Sequence, residues 1–183
     1  DYTSADNKGL FLEGTGSMVF DRLNKKAYCS ISERTNEHLI YEFCNDFEYM
    51  PIVFNSFHTH KNERKPIYHT NVMMCNGTHY SVICLDAIDD QAEMKKVVES
   101  LEDDNKEIIT ISEEQLKLFA GNMIELRKNK NSFLFMSETA YLSLEGNQLK
   151  RLKAHSELIY SSVDTIEKCG GGSVRCMIAE IFN

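Results

Sequence analysis

The sequence predicts an α/β fold made by repeating one strand–strand–helix–strand unit. Three observations carry that prediction. The same order of apolar strand-like runs and one helically spaced run occurs three times. Met18, Met73 and Met123 fall at equivalent places, about 50 to 55 residues apart. The chain has 183 residues, 42% of them hydrophobic, which is enough for one domain with a sizeable core.

In the first unit, roughly 10–56, residues 16–20 read as a strand, 22–25 as a polar turn and 27–31 as a second strand. Residues 33–47 have helical spacing, with Leu39, Ile40, Phe43 and Phe47 on one face, and 51–54 is a short buried strand. In the second unit, roughly 67–112, the strand 71–75 turns at Asn76-Gly77 into 80–85, followed by a helix over 91–101 and a strand over 107–111. In the third, roughly 119–163, strands at 122–126 and 132–136 flank a turn at 128–131, helical segments run over 138–154, and 158–160 closes the unit. Residues 57–65, with His58 and His60, read as a solvated loop between the first two units, and Glu102-Asp103-Asp104 as an exposed helix end. The closing segment, 164–183, holds Gly170-Gly171-Gly172-Ser173-Val174-Arg175-Cys176-Met177. Three successive glycines have the most backbone entropy to lose in a helix or strand. They read as a turn that delivers one thiol to the mouth of a strand or helix.

Composition narrows the function. The net charge is −8 with no basic stripe, which argues against nucleic acid and anionic membrane surfaces as partners. No apolar run approaches the ~20 residues that span a bilayer. None of the six cysteines forms a C-x-x-C pair, and His58 and His60 have no third ligand at matching spacing. No metal and no cofactor is therefore implied. Cys29, Cys75 and Cys84 sit in strand-like runs and read as reduced core residues, so the expected location is the cytoplasm. Asn76-Gly77-Thr78 matches a glycosylation sequon, but a hairpin turn explains it better.

A distinctive segment precedes the first strand of each unit: 12–16 with Glu13, 67–71 with His69 and Asn71, and 119–123 with Asn122. If the units pack in a ring, these segments and the glycine-rich run all point to the axis. Each residue has an ordinary reading alone: surface acid, core histidine, strand-start cap, buried cysteine. Together they make a nucleophile site. Arg175 beside Cys176 favours the thiolate. Histidine can move protons to and from the reacting groups, and a carboxylate can orient its ring.

The runs Leu12-Glu13-Gly14-Thr15-Gly16, His69-Thr70-Asn71, Phe119-Ala120-Gly121-Asn122-Met123 and Arg175-Cys176-Met177 resemble those of the pentein superfamily. That superfamily includes arginine deiminase, dimethylarginine hydrolase and the amidinotransferases; the similarity is greatest to the amidinotransferase-like branch with citrulline-utilisation hydrolases, and it covers nearly the whole chain. It implies a β/α propeller of five units, of which about three are present here, with two expected before Asp1 in a truncated or processed chain. It implies Cys176 as nucleophile, His69 as acid/base and Glu13 as the carboxylate partnering it, with Asn71, Asn122 and Arg175 binding substrate. The expected substrate is a small guanidino or ureido amino acid. A homo-oligomer or a complementing N-terminal fragment is the expected macromolecular partner. The deiminases carry aspartate at the position of Asn71; a neutral amide there favours a neutral ureido group. The activity expected is a cysteine-dependent hydrolase or amidinotransferase acting on C–N bonds. The alternative is a catalytically incompetent fragment of that fold used for binding or assembly.

Overall fold

The computed structural model describes residues 2–180; Asp1 and residues 181–183, the end of the closing segment, lie outside it. The described elements are, in chain order, the turn-length helix α1 (Gly14–Ser17), β1 (Met18–Asp21), β2 (Lys26–Ile31), α2 (Glu37–Asp46), β3 (Met50–Asn55), β4 (Phe57–His60), β5 (Glu63–Pro66), α3 (Thr70–Met73), β6 (Met74–Asn76), β7 (Tyr80–Ile83), α4 (Gln91–Asp103), β8 (Glu107–Thr110), α5 (Glu113–Lys117), β9 (Ile124–Lys128), β10 (Asn131–Ser137), α6 (Glu138–Ser143), α7 (Gly146–His155), β11 (Glu157–Ser161) and α8 (Asp164–Gly170). A 3₁₀ turn covers Val174–Met177.

Three sheets share one topology, in chain order: β1-β2-β3, β6-β7-β8 and β9-β10-β11. In each, the first two strands are antiparallel and the last pair is parallel. A parallel pair needs a crossover, and α2, α4 and the α6–α7 pair supply it. Asn36 and Asp90 set the starts of α2 and α4 by accepting backbone N–H bonds in the first turn. The main core runs through all three sheets, with Tyr28, Phe54, Tyr80, Leu101, Ile109 and Leu134 fully buried. A smaller cluster under α2 joins Met18, Ala27, Cys29, Ile40, Cys44 and Val53.

Helix α4 is the seam between the first two sheets. Tyr28 and Ser100 share a hydroxyl hydrogen bond of 3.1 Å, and Lys26 Nζ donates to the Ser100 carbonyl at 2.8 Å. Lys26 also pairs with Asp104, which corrects the reading of that acidic run as an exposed helix end in its last residue only: Glu102 and Asp103 are exposed, and the Asp104 carboxylate is turned inward. The Asn55 backbone and amide N–H groups both donate to Glu93 on α4. Between the second and third sheets, Tyr80 and Ser156 are joined in the same way at 3.3 Å, and Glu107 accepts from Arg151 and His155.

Other local readings are corrected. Residues 57–65 are a β-hairpin, not a solvated loop: β4 pairs with β5. Arg64 anchors it by ion pairs to Asp89 and Glu113, while the Thr59 N–H donates to Glu113. Alternating charge hid the strands because the hairpin is held by ion pairs rather than by an apolar face. Asn76-Gly77 is not the tip of its turn, which falls at Thr78 and His79. Asn76 ends β6 opposite Ser81, and Gly77 N–H donates to the Tyr80 carbonyl. Glycine is needed there because a Cβ would lie 2.5 Å from the Tyr80 ring. Helix α5, with its Ser112–Gln115 capping box, was too short for periodicity to reveal.

The buried pair Lys106–Asp21, 2.9 Å apart and only 1% and 3% exposed, locks β1 to the end of α4. Lys106 Nζ also donates to the carbonyls of Gly77 and Thr78. Burial pushes the Asp21 carboxyl up, but the bonds from Asn24 and Lys106 outweigh it and hold it below its ordinary value. The folded-state value is therefore lower than the unfolded one, so the pair stabilises above ordinary carboxylate pH and loses that contribution as pH falls through the folded value. In urea unfolding at pH 7, Asp21→Asn is expected to cost about 3–5 kcal/mol, because it leaves the Lys106 charge buried without its partner. The gap between wild type and Asp21→Asn should begin to narrow near about pH 4, the ordinary carboxylate value, and close only as pH falls through the lower folded-state value.

Candidate functional site

The segments before β1 and β6 are not extended from their first residue, as the sequence had implied. Each makes one helical turn, α1 or α3, and only then enters its strand. The turn places Glu13 at the start of α1 and His69 at the start of α3. Glu13 is fixed by its backbone N–H, which donates to the Ser17 hydroxyl at 3.0 Å and to the Arg34 carbonyl at 3.3 Å. His69 Nε2 lies 2.7 Å from Glu13 Oε2. An ionised carboxylate can only accept, so Nε2 carries the proton and in the neutral ring Nδ1 holds the lone pair. The ring rests on Gly16, where a Cβ would stand 2.9 Å from Nδ1 and Cε1. This is the close approach that Leu-Glu-Gly-Thr-Gly provides for.

Asn71 follows on α3 and is 4% exposed. Its Nδ2 donates to the Thr15 carbonyl at 3.2 Å and stands 4.0 Å from Cys176 Sγ. Its Oδ1 is buried and has no hydrogen-bond partner among the described residues. Asn122 is buried at the third position. It comes in through Phe119, which has a positive φ of 63°, and Gly121, where a Cβ would be 2.3 Å from the Val72 carbonyl oxygen. Asn122 Nδ2 reaches the Asn71 carbonyl at 3.0 Å and Cys176 Sγ at 3.3 Å.

Cys176 sits on the 3₁₀ turn, its N–H donating to the Ser173 carbonyl at 3.0 Å. The thiol is thus delivered on a 3₁₀ turn, and among the described residues no strand follows it. Gly171, left-handed at φ 66°, ends α8 and starts the run to the thiol. Tyr68 spans the two halves: its hydroxyl donates to the Gly171 carbonyl at 2.8 Å, and its ring lies 5.0 Å from that of His69. Burial, then the charge of Cys176, push the Tyr68 phenol up. Of the six residues picked from the sequence, Asn71, Asn122 and Cys176 thus meet at the sulfur, and Glu13 and His69 pair on turns α1 and α3, which the Asn71–Thr15 bond ties together.

Arg175 is placed differently. Its Nη1 donates to the Ile178 carbonyl at 3.2 Å, and it lines a cavity of about 610 Å³ together with Asn71, Cys75, Asn76, Glu125 and Glu180. Glu13, His69 and Cys176 do not line that cavity. Adjacency in sequence to Cys176 implied adjacency of charge; the bond that Arg175 makes is to a carbonyl of its own segment, at the edge of this cavity. Two residues were missed. Tyr68 is one. The other is Arg34, whose Nη1 lies 3.6 Å from Glu13 Oε2 and whose guanidinium lies over the Tyr68 ring. Its signal, Ser32-Glu33-Arg34-Thr35-Asn36, was absorbed into the expected helix 33–47, which in fact begins at Glu37.

The remaining cysteines are set apart by burial. Cys29, Cys44, Cys75 and Cys84 are buried, and Cys169 and Cys176 are exposed. Burial pushes the thiols of Cys75 and Cys84 up to about 12 and those of Cys29 and Cys44 upward as well. Among the described residues no group of three or more His, Cys, Asp or Glu side chains is placed to hold a metal ion, and no helix is long and apolar enough to cross a membrane.

Comparison with known proteins gives the fold and the family. The chain matches the structure of ArgZ, an arginine dihydrolase from the ornithine–ammonia cycle in cyanobacteria, with a TM-score of 0.70 and 14% identity over 93% of this chain and 25% of that one. The N-terminal domain of ArgZ, a cysteine-to-serine variant bound to substrate, gives 0.68 and 18% identity over 90% of this chain and 54% of that one. SxtG, an amidinotransferase from Microseira wollei in the saxitoxin biosynthetic pathway, gives 0.57 and 13% identity over 88% and 42% of the two chains. The chain thus spans only about a quarter of ArgZ and about half of its N-terminal domain. No curated protein matches the sequence significantly. The family model for eukaryotic N,N-dimethylarginine dimethylhydrolase matches residues 1–183. The chain therefore belongs to the eukaryotic N,N-dimethylarginine dimethylhydrolase family, and through it to the pentein superfamily that its motifs had implied.

Proposed function

We propose that this chain carries the nucleophile half of a cysteine-dependent hydrolase that breaks a C–N bond at the guanidino or ureido carbon of an arginine- or citrulline-like amino acid. The observation that carries the reading is that Asn71 and Asn122 meet the Cys176 sulfur from segments far apart in sequence, while Glu13 and His69 pair on the two turns that Asn71 joins through the Thr15 carbonyl. Family membership supports it, as do neighbours whose structures hold a substrate, a covalently bonded reaction intermediate and a product.

In this reading the Cys176 thiolate attacks the central carbon and a C–S bond forms. His69 takes up the proton that the Cys176 thiol gives up and so becomes charged; with its Nε2–H kept on Glu13, it passes the Nδ1 proton to the departing nitrogen as the C–N bond breaks, and an amine or ammonia leaves. Water, losing a proton to His69, then attacks the same carbon. The C–S bond breaks and the thiolate returns. An amine in place of that water would make the same site an amidinotransferase. The N–H groups of Asn122 and Asn71 face the sulfur, where negative charge is carried. The unpartnered Asn71 Oδ1 accepts a substrate N–H. Arg34, with its side chain 54% exposed at the rim, meets the substrate's α-carboxylate. Arg175 acts from the cavity side rather than on the thiol. The three similar sheets are three units of a propeller, 10–56, 67–112 and 119–163, with 164–183 bringing the nucleophile to the axis. The four buried free thiols support a reducing compartment, the cytoplasm, as the location.

Chloroacetamidine, a thiol-directed guanidinium mimic, is the first test. Peptide-resolved mass spectrometry should show Cys176 labelled at least about tenfold faster than Cys169, the other exposed thiol. His69→Asn should slow Cys176 and leave Cys169 unchanged. Equal labelling of the two would favour a binding or assembly module instead.

The charge of Asn71 gives a second test. A buried guanidinium needs carboxylates, whereas a neutral ureido group is satisfied by an amide. Ornithine release is expected to be faster from citrulline than from arginine, and Asn71→Asp should shift that ratio toward arginine. A wild-type preference for arginine that Asn71→Asp leaves unchanged would remove the charge argument.

A further inference from the structure

The nucleophile run has an anchor that lies outside the cluster around the sulfur. Glu167, on α8, is 9% exposed. Its Oε1 accepts the Ser173 hydroxyl at 2.6 Å and its Oε2 accepts the Thr139 hydroxyl at 2.8 Å. Ser173 is fully buried, and its carbonyl accepts the Cys176 N–H that closes the 3₁₀ turn. Thr139 lies on α6, packed on the third sheet. One carboxylate therefore ties the turn that bears the thiol to the body of the domain.

The stretch between Glu167 and Ser173 includes Gly170, Gly171 and Gly172, the most flexible residues the chain could place there. Left alone, such a run would spread Cys176 over many positions. Its other fixed point is Tyr68, whose hydroxyl holds the Gly171 carbonyl. A buried carboxylate held, among the described residues, by two hydroxyls and by no cation is a costly arrangement, because two neutral donors replace a full hydration shell. An apolar residue would fill the same volume at lower cost. What the carboxylate adds is direction: two short acceptor bonds that fix where Ser173 stands.

We propose that Glu167 is a positioning residue that, through Ser173, holds Cys176 Sγ against Asn122 Nδ2. The proposal rests on the hydrolase reading for its catalytic meaning, but its geometry can be tested separately. Two measurements suffice, on wild type, Glu167→Gln, Ser173→Ala and the double variant. One is amide hydrogen exchange at Cys176, whose N–H donates to the Ser173 carbonyl. The other is the chloroacetamidine rate at Cys176, with Cys169 as internal reference.

Each single variant is expected to speed exchange at Cys176 about tenfold and to slow its alkylation about tenfold, since misplacement by about 1 Å can cost a factor of ~100 in a reaction that depends on alignment. The double variant should be no worse than either single one, because both break the same link. Cys169 should react as before. Unchanged exchange at Cys176, additive losses in the double variant, or equal slowing of Cys169 would each overturn the proposal. The hydrolase reading is judged by a different comparison, wild-type Cys176 against Cys169. Should that ratio be near one while exchange still responds to Glu167→Gln, the anchor stands and the hydrolase reading falls.

Discussion

The structure depends on a chain of hydrogen bonds that crosses from one sheet to the next at the point where their first strands begin. Thr70 Oγ1 donates to the Ser17 carbonyl at 2.6 Å and accepts the Ser30 N–H at 2.8 Å. Asn71 Nδ2 reaches the Thr15 carbonyl, and Asn122 Nδ2 reaches the Asn71 carbonyl. Neighbouring turns at the sheet entrances are thus tied together by side chains that bond one another's backbone carbonyls. A buried backbone carbonyl without a partner costs free energy comparable to a lost hydrogen bond. The turns therefore assemble together, and the site is the place where their side chains meet.

The outer seams have different chemistry and support the same geometry. Tyr28–Ser100 and Tyr80–Ser156 join sheet to helix through buried hydroxyls, and Lys106–Asp21 closes the first seam with a charge pair. Glu13 and His69 lie on neighbouring turns, so the 2.7 Å contact between them depends on the seam as well as on their own side chains. Gly16 and Gly121 allow the turns to come close enough; at either position a methyl group would strike the histidine ring or the Val72 carbonyl. Exposure then separates the cysteines into four that are held away from reaction and two that are accessible.

Where the sequence was misread, the reason is physical in each case. Periodicity reports an apolar face, so β4 and β5, whose residues bond through Arg64 and Glu113, gave no signal. Helices of four or five residues, such as α1, α3 and α5, are shorter than the window over which a period can be seen. Arg34 was taken for the first turn of a helix because Asn36, two residues later, is the true cap.

The sequence by itself determined the repeated order of strands and helices, the buried faces, and the residue types at the site: an acid, a histidine, two amides and a thiol. These follow from local spacing and from chemistry that each residue carries wherever it lies. Only the tertiary structure decided which of them meet. Asn71 and Cys176 are 105 residues apart in the chain, and Glu13 and His69 are 56 apart. No local pattern encodes such contacts, because they arise when buried faces and unsatisfied backbone groups of separate sheets are paired. The same long-range packing turned Arg175 toward the cavity, away from the role its neighbour in sequence implied, and brought Glu167 under the loop that carries the thiol.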